Sequence, residues 1–268
     1  MSNDTPLAGN TTESVTTRTV FGIPCWVSLT SRDVRASEEF YADVLGWQWR
    51  PAKLGDDFRV AMADGVPVAG LGAVASVWQM AVAWTPYFAV ASADQAVSRV
   101  RERGGTAAVG PISLPPGRAA LLADRDGAPF GIWEGELVAE WENWSHSAPA
   151  FLRLHTRDAF DAAIFYGEVL DWASARPGFC EVHYEGNEVV LRSRGEVVAR
   201  IGSGALEAAP DPTIRPHWQV HFRVPDVAAS ASAAEARGGT VLQSGSDECL
   251  LRDPDGAPFT VTSRDPRH

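Results

Sequence analysis

The feature that most constrains this chain is that it repeats itself. Arg32-Asp33, Phe40-Tyr41, Val44-Leu45 and Trp47 return as Arg157-Asp158, Phe165-Tyr166, Val169-Leu170 and Trp172, each 125 residues later. Trp84 and Arg103-Gly-Gly-Thr106 return as Trp218 and Arg237-Gly-Gly-Thr240 at an offset of 134, and Asp124-x-Asp-Gly-Ala-Pro-Phe130 returns as Asp253-x-Asp-Gly-Ala-Pro-Phe259 at 129. Small changes of offset are loop insertions, so the 268 residues form a duplicated unit of roughly 120 residues, large enough to bury a core in each copy. The expected boundaries are 21–135 and 150–268. Residues 136–149 join them, and residues 1–20, rich in Thr, Ser and Asn, read as a disordered lead-in.

Each copy reads as two βαβββ modules. Residues 25–30 alternate like a strand and Asp33 is placed to cap a helix. Val34, Phe40, Tyr41, Val44 and Leu45 then recur at helical spacing, followed by short strand-like runs with turns at Gly55-Asp-Asp and Asp64-Gly65. The second module repeats the plan, with a helix near 94–103 closed by Gly104-Gly105. Copy two follows suit from Phe151 and again from Trp218.

Composition narrows the chemistry. The charge is −11 at pH 7 and the basic residues are dispersed, which excludes nucleic acid and anionic membrane as partners. No run approaches a membrane span, the N-terminus lacks the pattern of a secretion signal, and Cys25, Cys180 and Cys249 show no paired spacing, so the expected location is a reducing cytoplasm. Lysine occurs once, Lys53, which removes most Schiff-base chemistry. All six histidines (His146, His155, His183, His217, His221 and His268) lie in the second half, so histidine chemistry must be sited there. Of ten tryptophans, Trp47, Trp84, Trp172 and Trp218 occupy matched repeat positions and read as structural. Trp26, Trp49, Trp78, Trp133, Trp141 and Trp144 are unmatched; aromatic rings at such places either stack on a planar ligand or join the two copies.

The starts CWVSLTSRD and FLRLHTRD, the helix ends FYADVLGW and FYGEVLDW, the RGGT segments and the DxDGAPF turns resemble the vicinal oxygen chelate superfamily, which includes glyoxalase I, bleomycin-resistance proteins and extradiol dioxygenases. The resemblance covers residues 21–265. It implies an α+β fold made by tandem duplication of a glyoxalase-like domain. Each domain would be a curved, cleft-bearing mixed sheet of two βαβββ modules with helices outside. The superfamily hosts enzymes and non-catalytic binders alike, so fold does not name function.

In members that use a divalent metal, the ligand positions implied by the resemblance fall here on Trp26, Thr85 and Gly131 in copy one and on Phe151, Gln219 and Thr260 in copy two. Of these only Gln219 is compatible with ligation, so no metal or other cofactor is expected; a relocated site would have to use His155 and His221. Strand alternation gives each copy two faces. Val27, Leu29, Phe88 and Val90, and likewise Leu152, Leu154, Val220, Phe222 and Val224, suit packing on helices. The opposite face carries Trp26, Ser28, Thr30, Thr85, Tyr87 and Ala89 in copy one, and Phe151, Arg153, His155, Gln219, His221 and Arg223 in copy two. By resemblance this second face lines the cleft.

One reading is a metal-independent enzyme acting by acid–base chemistry (isomerisation, cyclisation or elimination) on a small, partly aromatic or polyketide-like metabolite. His155 or His221 would be the base, Arg153 or Arg223 the anion holder, and Trp26, Tyr87, Phe151, Gln219 and Trp78 the substrate contacts. The alternative is a binding protein that sequesters a planar compound, with a metal-dependent oxygenase or lyase behind both. A third account of the copy-two charges is that they fill a small barrel with salt bridges to Asp and Glu or simply lie solvated in an open groove. The expected partner is a small molecule, and the expected assembly is a monomer or homodimer.

Overall fold

A computed structural model of the chain describes residues 21–137, 150–172, 180–193, 195–203 and 215–263. In order, copy one contains β1 (Pro24–Thr30), α1 (Val34–Leu45), β2 (Gln48–Pro51), β3 (Phe58–Ala63), β4 (Val66–Gly72), α2 (Ala75–Trp78), β5 (Ala83–Ala89), α3 (Ala93–Glu102), β6 (Thr106–Leu114), β7 (Gly117–Ala123) and β8 (Pro129–Gly135). Copy two contains β9 (Ala150–His155), α4 (Ala159–Val169), β10 (Glu181–Glu185), β11 (Glu188–Ser193), β12 (Glu196–Gly202), β13 (His217–Arg223), α5 (Val227–Ala236), β14 (Thr240–Ser244), β15 (Glu248–Arg252) and β16 (Pro258–Thr262). The sequence of the two modules and the mixed sheets match the α+β expectation. Trp141 and Trp144, His146 and His268, and most of the 1–20 and 136–149 segments lie outside the described residues.

Each copy forms one open eight-stranded sheet, in the orders β2-β3-β4-β1-β5-β8-β7-β6 and β10-β11-β12-β9-β13-β16-β15-β14. The module starts sit side by side at the centre: β1 runs antiparallel to β5 and β9 antiparallel to β13, while β4 and β8 return parallel to the starts of their own modules. The helices are local products of the sequence. Asp33, Asp158 and Asp226 accept from the backbone N–H three residues on, capping α1, α4 and α5, and Gly46 ends α1 at φ 71°.

The apolar faces of the two sheets meet, with the helices beside them. Trp84 and Trp47 both pack edge-on against Phe222, Phe88 packs against Trp218, α1 lies on α5, and α3 lies on α4. The motifs that reveal the repeat build this junction. Trp84 donates to the Tyr41 hydroxyl, which donates to Asp253 in the DxDG turn of the other copy, at 2.9 Å each. Trp218, Tyr166 and Asp124 make the reciprocal chain at 2.9 and 3.0 Å. The other carboxylate oxygen of each aspartate closes its own turn through backbone N–H groups. The second glycine of each RGGT, Gly105 and Gly239, leaves room for Phe165 and Phe40 of the opposite copy, and Arg103 reaches Glu168 as Arg237 reaches Asp43. The matched tryptophans are therefore core residues, and the two clefts open on opposite sides of the molecule.

Candidate functional site

On the outward face of the first sheet is a cavity of about 420 Å³. Its walls are the rings of Trp26, Phe58, Tyr87 and Trp133 with aliphatic side chains of β4, β6 and β7, and Trp78, 47% exposed, stands at its mouth. A register shift between Pro24 and Trp26 lets the consecutive residues Cys25 and Trp26 both reach the cavity. Polar groups inside are few: Ser28, the Cys25 thiol and the Tyr87 phenol. Burial holds that thiol in its neutral form and pushes the phenol up to about 12, with Cys25 adding to the shift. Charge is confined to the rim, where Lys53 and Glu136 are exposed and Arg59 is paired with Glu38 at 2.8 Å. Such a site discriminates by shape and apolar contact.

The outward face of the second sheet carries charge. Arg153 of β9 pairs with Glu188 of β11, which also meets Arg200 of β12 at 3.4 Å. Arg200 and Arg192 in turn share Glu185. Along the β9–β13 ladder the facing pairs are Phe151 with His221, Arg153 with Gln219, and His155 with His217, whose rings stack at 5.2 Å. Burial, together with His217 and Arg153, lowers the His155 imidazole to about 4 against a hydrogen bond with Gln219, and burial with Arg153 and His155 lowers His221 to about 3. Both rings are therefore neutral near pH 7. Nε of Arg153 and Nε2 of His155 are buried without a hydrogen-bond partner among the described residues.

The structure divides the nine candidate site residues between the two outward faces. Trp26, Tyr87 and Trp78 line the first cavity, whereas Arg153, His155, Gln219 and His221 lie on the second face; of Phe151 only the backbone is described. Arg223 ends β13 exposed, two strand positions beyond His221 on the same face but roughly 20 Å along the strand from the His155 imidazole. Along the ladder the Arg153–Gln219 pair stands between His155 and His221, four strand positions or roughly 13 Å of backbone apart, and the charge of one imidazole still acts on the other. His183 lies on the edge strand β10, exposed and 3.4 Å from Glu181. Sequence reasoning missed Phe58, Glu188 and Arg200, whose roles depend on cross-strand register. It flagged Trp133 only as unmatched.

Residues 151–262 match the family model of a glyoxalase-like domain. The chain is 31% identical over 270 residues to the anthracycline biosynthesis protein DauV of Streptomyces sp. (strain C5), covering 91% of this chain and 94% of that protein. The chain belongs to the vicinal oxygen chelate superfamily. Solved structures agree on the fold. The Mn(II)-bound glyoxalase from Novosphingobium aromaticivorans has a TM-score of 0.54 at 17% identity, covering 91% of this chain and 83% of that one, and a catechol 2,3-dioxygenase has 0.54 at 14%, covering 91% and 88%.

Metal-dependent members of the superfamily raise the question of a metal here, and the donor sets do not fit one. In copy one the Tyr87 ring covers Gly131 and the Trp26 indole lies against Gly70, so rings fill the space a cation and its ligands would need. In copy two the Gln219 amide donates to Thr260, and the Arg153 guanidinium beside the two imidazoles opposes a second cation. Among the described residues no three His, Cys, Asp or Glu side chains gather.

Proposed function

We propose that this protein is a metal-independent binding member of its superfamily, holding a planar, partly aromatic or polyketide-like metabolite in the first-copy cavity. The observation that carries this is the contrast between a roomy, aromatic-walled cavity on one face and a charge-filled face on the other. The similarity to an anthracycline biosynthesis protein supports a place in secondary metabolism. We also place the chain in the cytoplasm, where its three buried free thiols stay reduced, as a monomer or homodimer.

The test is titration of the purified protein with planar hydroxyaromatics, read by tryptophan fluorescence and followed by chromatography of the released ligand. Binding weakened at least tenfold by Trp26→Ala and Tyr87→Ala, with the ligand returned unchanged, supports the reading. Loss of binding in a His155→Ala variant but not in Trp26→Ala sinks it.

A second reading, acid–base catalysis on the second face, is favoured by the neutral imidazoles of His155 and His221 beside Arg153, which would hold an enolate or carboxylate in exchange for Glu188. If the protein converts a bound metabolite and both His155→Ala and His221→Ala convert it at the wild-type rate, that reading fails. Metal analysis of active protein tests the oxygenase or lyase alternative.

A further inference from the structure

Resting on that reading, we infer that the first cavity is built for fused polycyclic aromatics of three or four coplanar rings, and that four glycines under its aromatic walls set this selectivity. Each wall ring lies against a glycine of a nearby strand position. A Cβ built at Gly131 would stand 2.3 Å from Cδ1 of Tyr87, at Gly70 2.9 Å from Nε1 of Trp26, and at Gly72 3.0 Å from Cε1 of Phe58, while at Gly117 it would meet the Glu134 carbonyl oxygen at 2.4 Å as well as Cζ2 of Trp133 at 2.6 Å. Real Cβ atoms do not come as close as at Gly131 and Gly70 and rarely as close as at Gly72, so a larger residue at these three would push its ring outward, into the cavity.

At Gly117 the backbone carbonyl of Glu134 leaves no room for a Cβ, but at Gly70, Gly72 and Gly131 the backbone does not demand glycine. None of the four has a positive φ, unlike Gly65, Gly104 or Gly110. The topology does not demand it either. In copy two the position of Gly70 is held by Arg200, which faces Arg153 as Gly70 faces Ser28, and the position of Gly131 is held by Thr260, which faces His221 as Gly131 faces Tyr87. What the glycines supply is depth: with no side chain beneath them, four aromatic rings sit low on the sheet and leave the space above free.

The size of that space sets the ligand class. A cavity of about 150 Å³ holds one benzene, and because each fused ring shares an edge with its neighbour and adds less than a whole benzene, 420 Å³ takes three or four fused rings. The near-absence of charge inside selects uncharged ring systems, with hydroxyl or carbonyl substituents meeting Ser28 and Tyr87.

The experiment titrates the full chain with phenol, β-naphthol and quinizarin, which carry one, two and three fused rings, using tryptophan quenching or calorimetry. Affinity is expected to rise at least tenfold with each added ring. Gly131→Ala is expected to weaken quinizarin at least tenfold while leaving phenol within twofold, and Gly167→Ala, at a helical glycine with nothing near it, to change neither. Gly70→Ala is the second variant should Gly131→Ala fail to fold, because its Cβ meets only the ends of the Trp26 and Ser28 side chains. Equal affinity for all three ligands, or wild-type quinizarin binding by a folded Gly131→Ala or Gly70→Ala protein, overturns the inference and leaves the aromatic-binding reading standing. If none of the three binds, that reading falls, and the inference with it.

Discussion

The two outward faces occupy the same place in the same topology, yet they share almost no chemistry. Matched by strand register, Ser28 stands where copy two has Arg153, Thr30 where it has His155, Phe58 where it has Glu188, Tyr87 where it has His221, and Gly131 where it has Thr260. The inward faces differ little: Tyr41, Trp84 and Asp253 are answered by Tyr166, Trp218 and Asp124. The difference follows from what each face must satisfy. A buried hydrogen-bond chain between two sheets tolerates no missing partner, whereas a cleft facing away from the partner sheet carries no such obligation. Duplication fixes the scaffold and leaves the clefts free, so one can become apolar and the other ionic on a single fold.

The largest effect that would break this comparison is expected at the inward face. Asp253→Ala and Asp124→Ala each remove the acceptor for a buried tyrosine and for the backbone N–H groups of a turn. Each should lower stability by at least about 3 kcal/mol, at about 1–3 kcal/mol for each buried donor left unsatisfied, and the two by similar amounts, as read by denaturant unfolding. If only one variant is destabilised, the inward faces are not equivalent.

Next comes acid stability, which sharpens the contrast because only the second face carries histidines. The folded-state values of His155 and His221, about 4 and 3, lie below the unfolded value near 6.5, so the unfolded chain binds protons first. Stability is therefore full above pH 6.5 and falls as pH drops toward 3. For His221, which is 5% exposed, the loss is on the order of 4 kcal/mol. His221→Leu should flatten the profile between pH 6 and 3; an unchanged profile would show that this imidazole does not govern it.

Exchanging one face toward the other has a smaller effect on binding. Phe58→Glu, which copies Glu188, places a carboxylate without an arginine in the apolar wall and should weaken planar aromatics tenfold to a hundredfold, about 1.4–2.8 kcal/mol. Undiminished binding would mean that the ligand does not use this wall. Glu188→Gln leaves Arg153 and Arg200 without their shared anion; because the pair is a third exposed, the expected cost is only about 1 kcal/mol. The least effect is expected from Arg223→Ala, within about 0.5 kcal/mol in stability and with no change in ligand affinity. A larger one would return Arg223 to the site.

Much of this architecture is legible in the chain because repetition and strand alternation are local. The offset motifs showed the duplication, the period of two separated Val27, Leu29, Leu152 and Phe222 from Trp26, Arg153 and His221, and Asp33 and Asp158 announced their helices. The candidate site was less legible. Glu188 is one of many exposed-looking glutamates until β11 lies beside β12. The alternate glycines of β4, Gly70 and Gly72, were the one signal of close approach on the cavity face, and nothing local says which ring approaches them.

By itself, the sequence determined the fold, the absence of histidine from the first copy and the inability of Trp26, Phe151 and Gly131 to ligate a cation, since these depend on residue identity and short-range period. Tertiary structure decided that the two clefts open away from each other and that the DxDG aspartates serve the opposite copy. It also decided that rings rest on glycines in one cleft while ion pairs fill the other. Those outcomes depend on which strands become neighbours, and contacts between residues far apart in the chain leave no periodic trace in it.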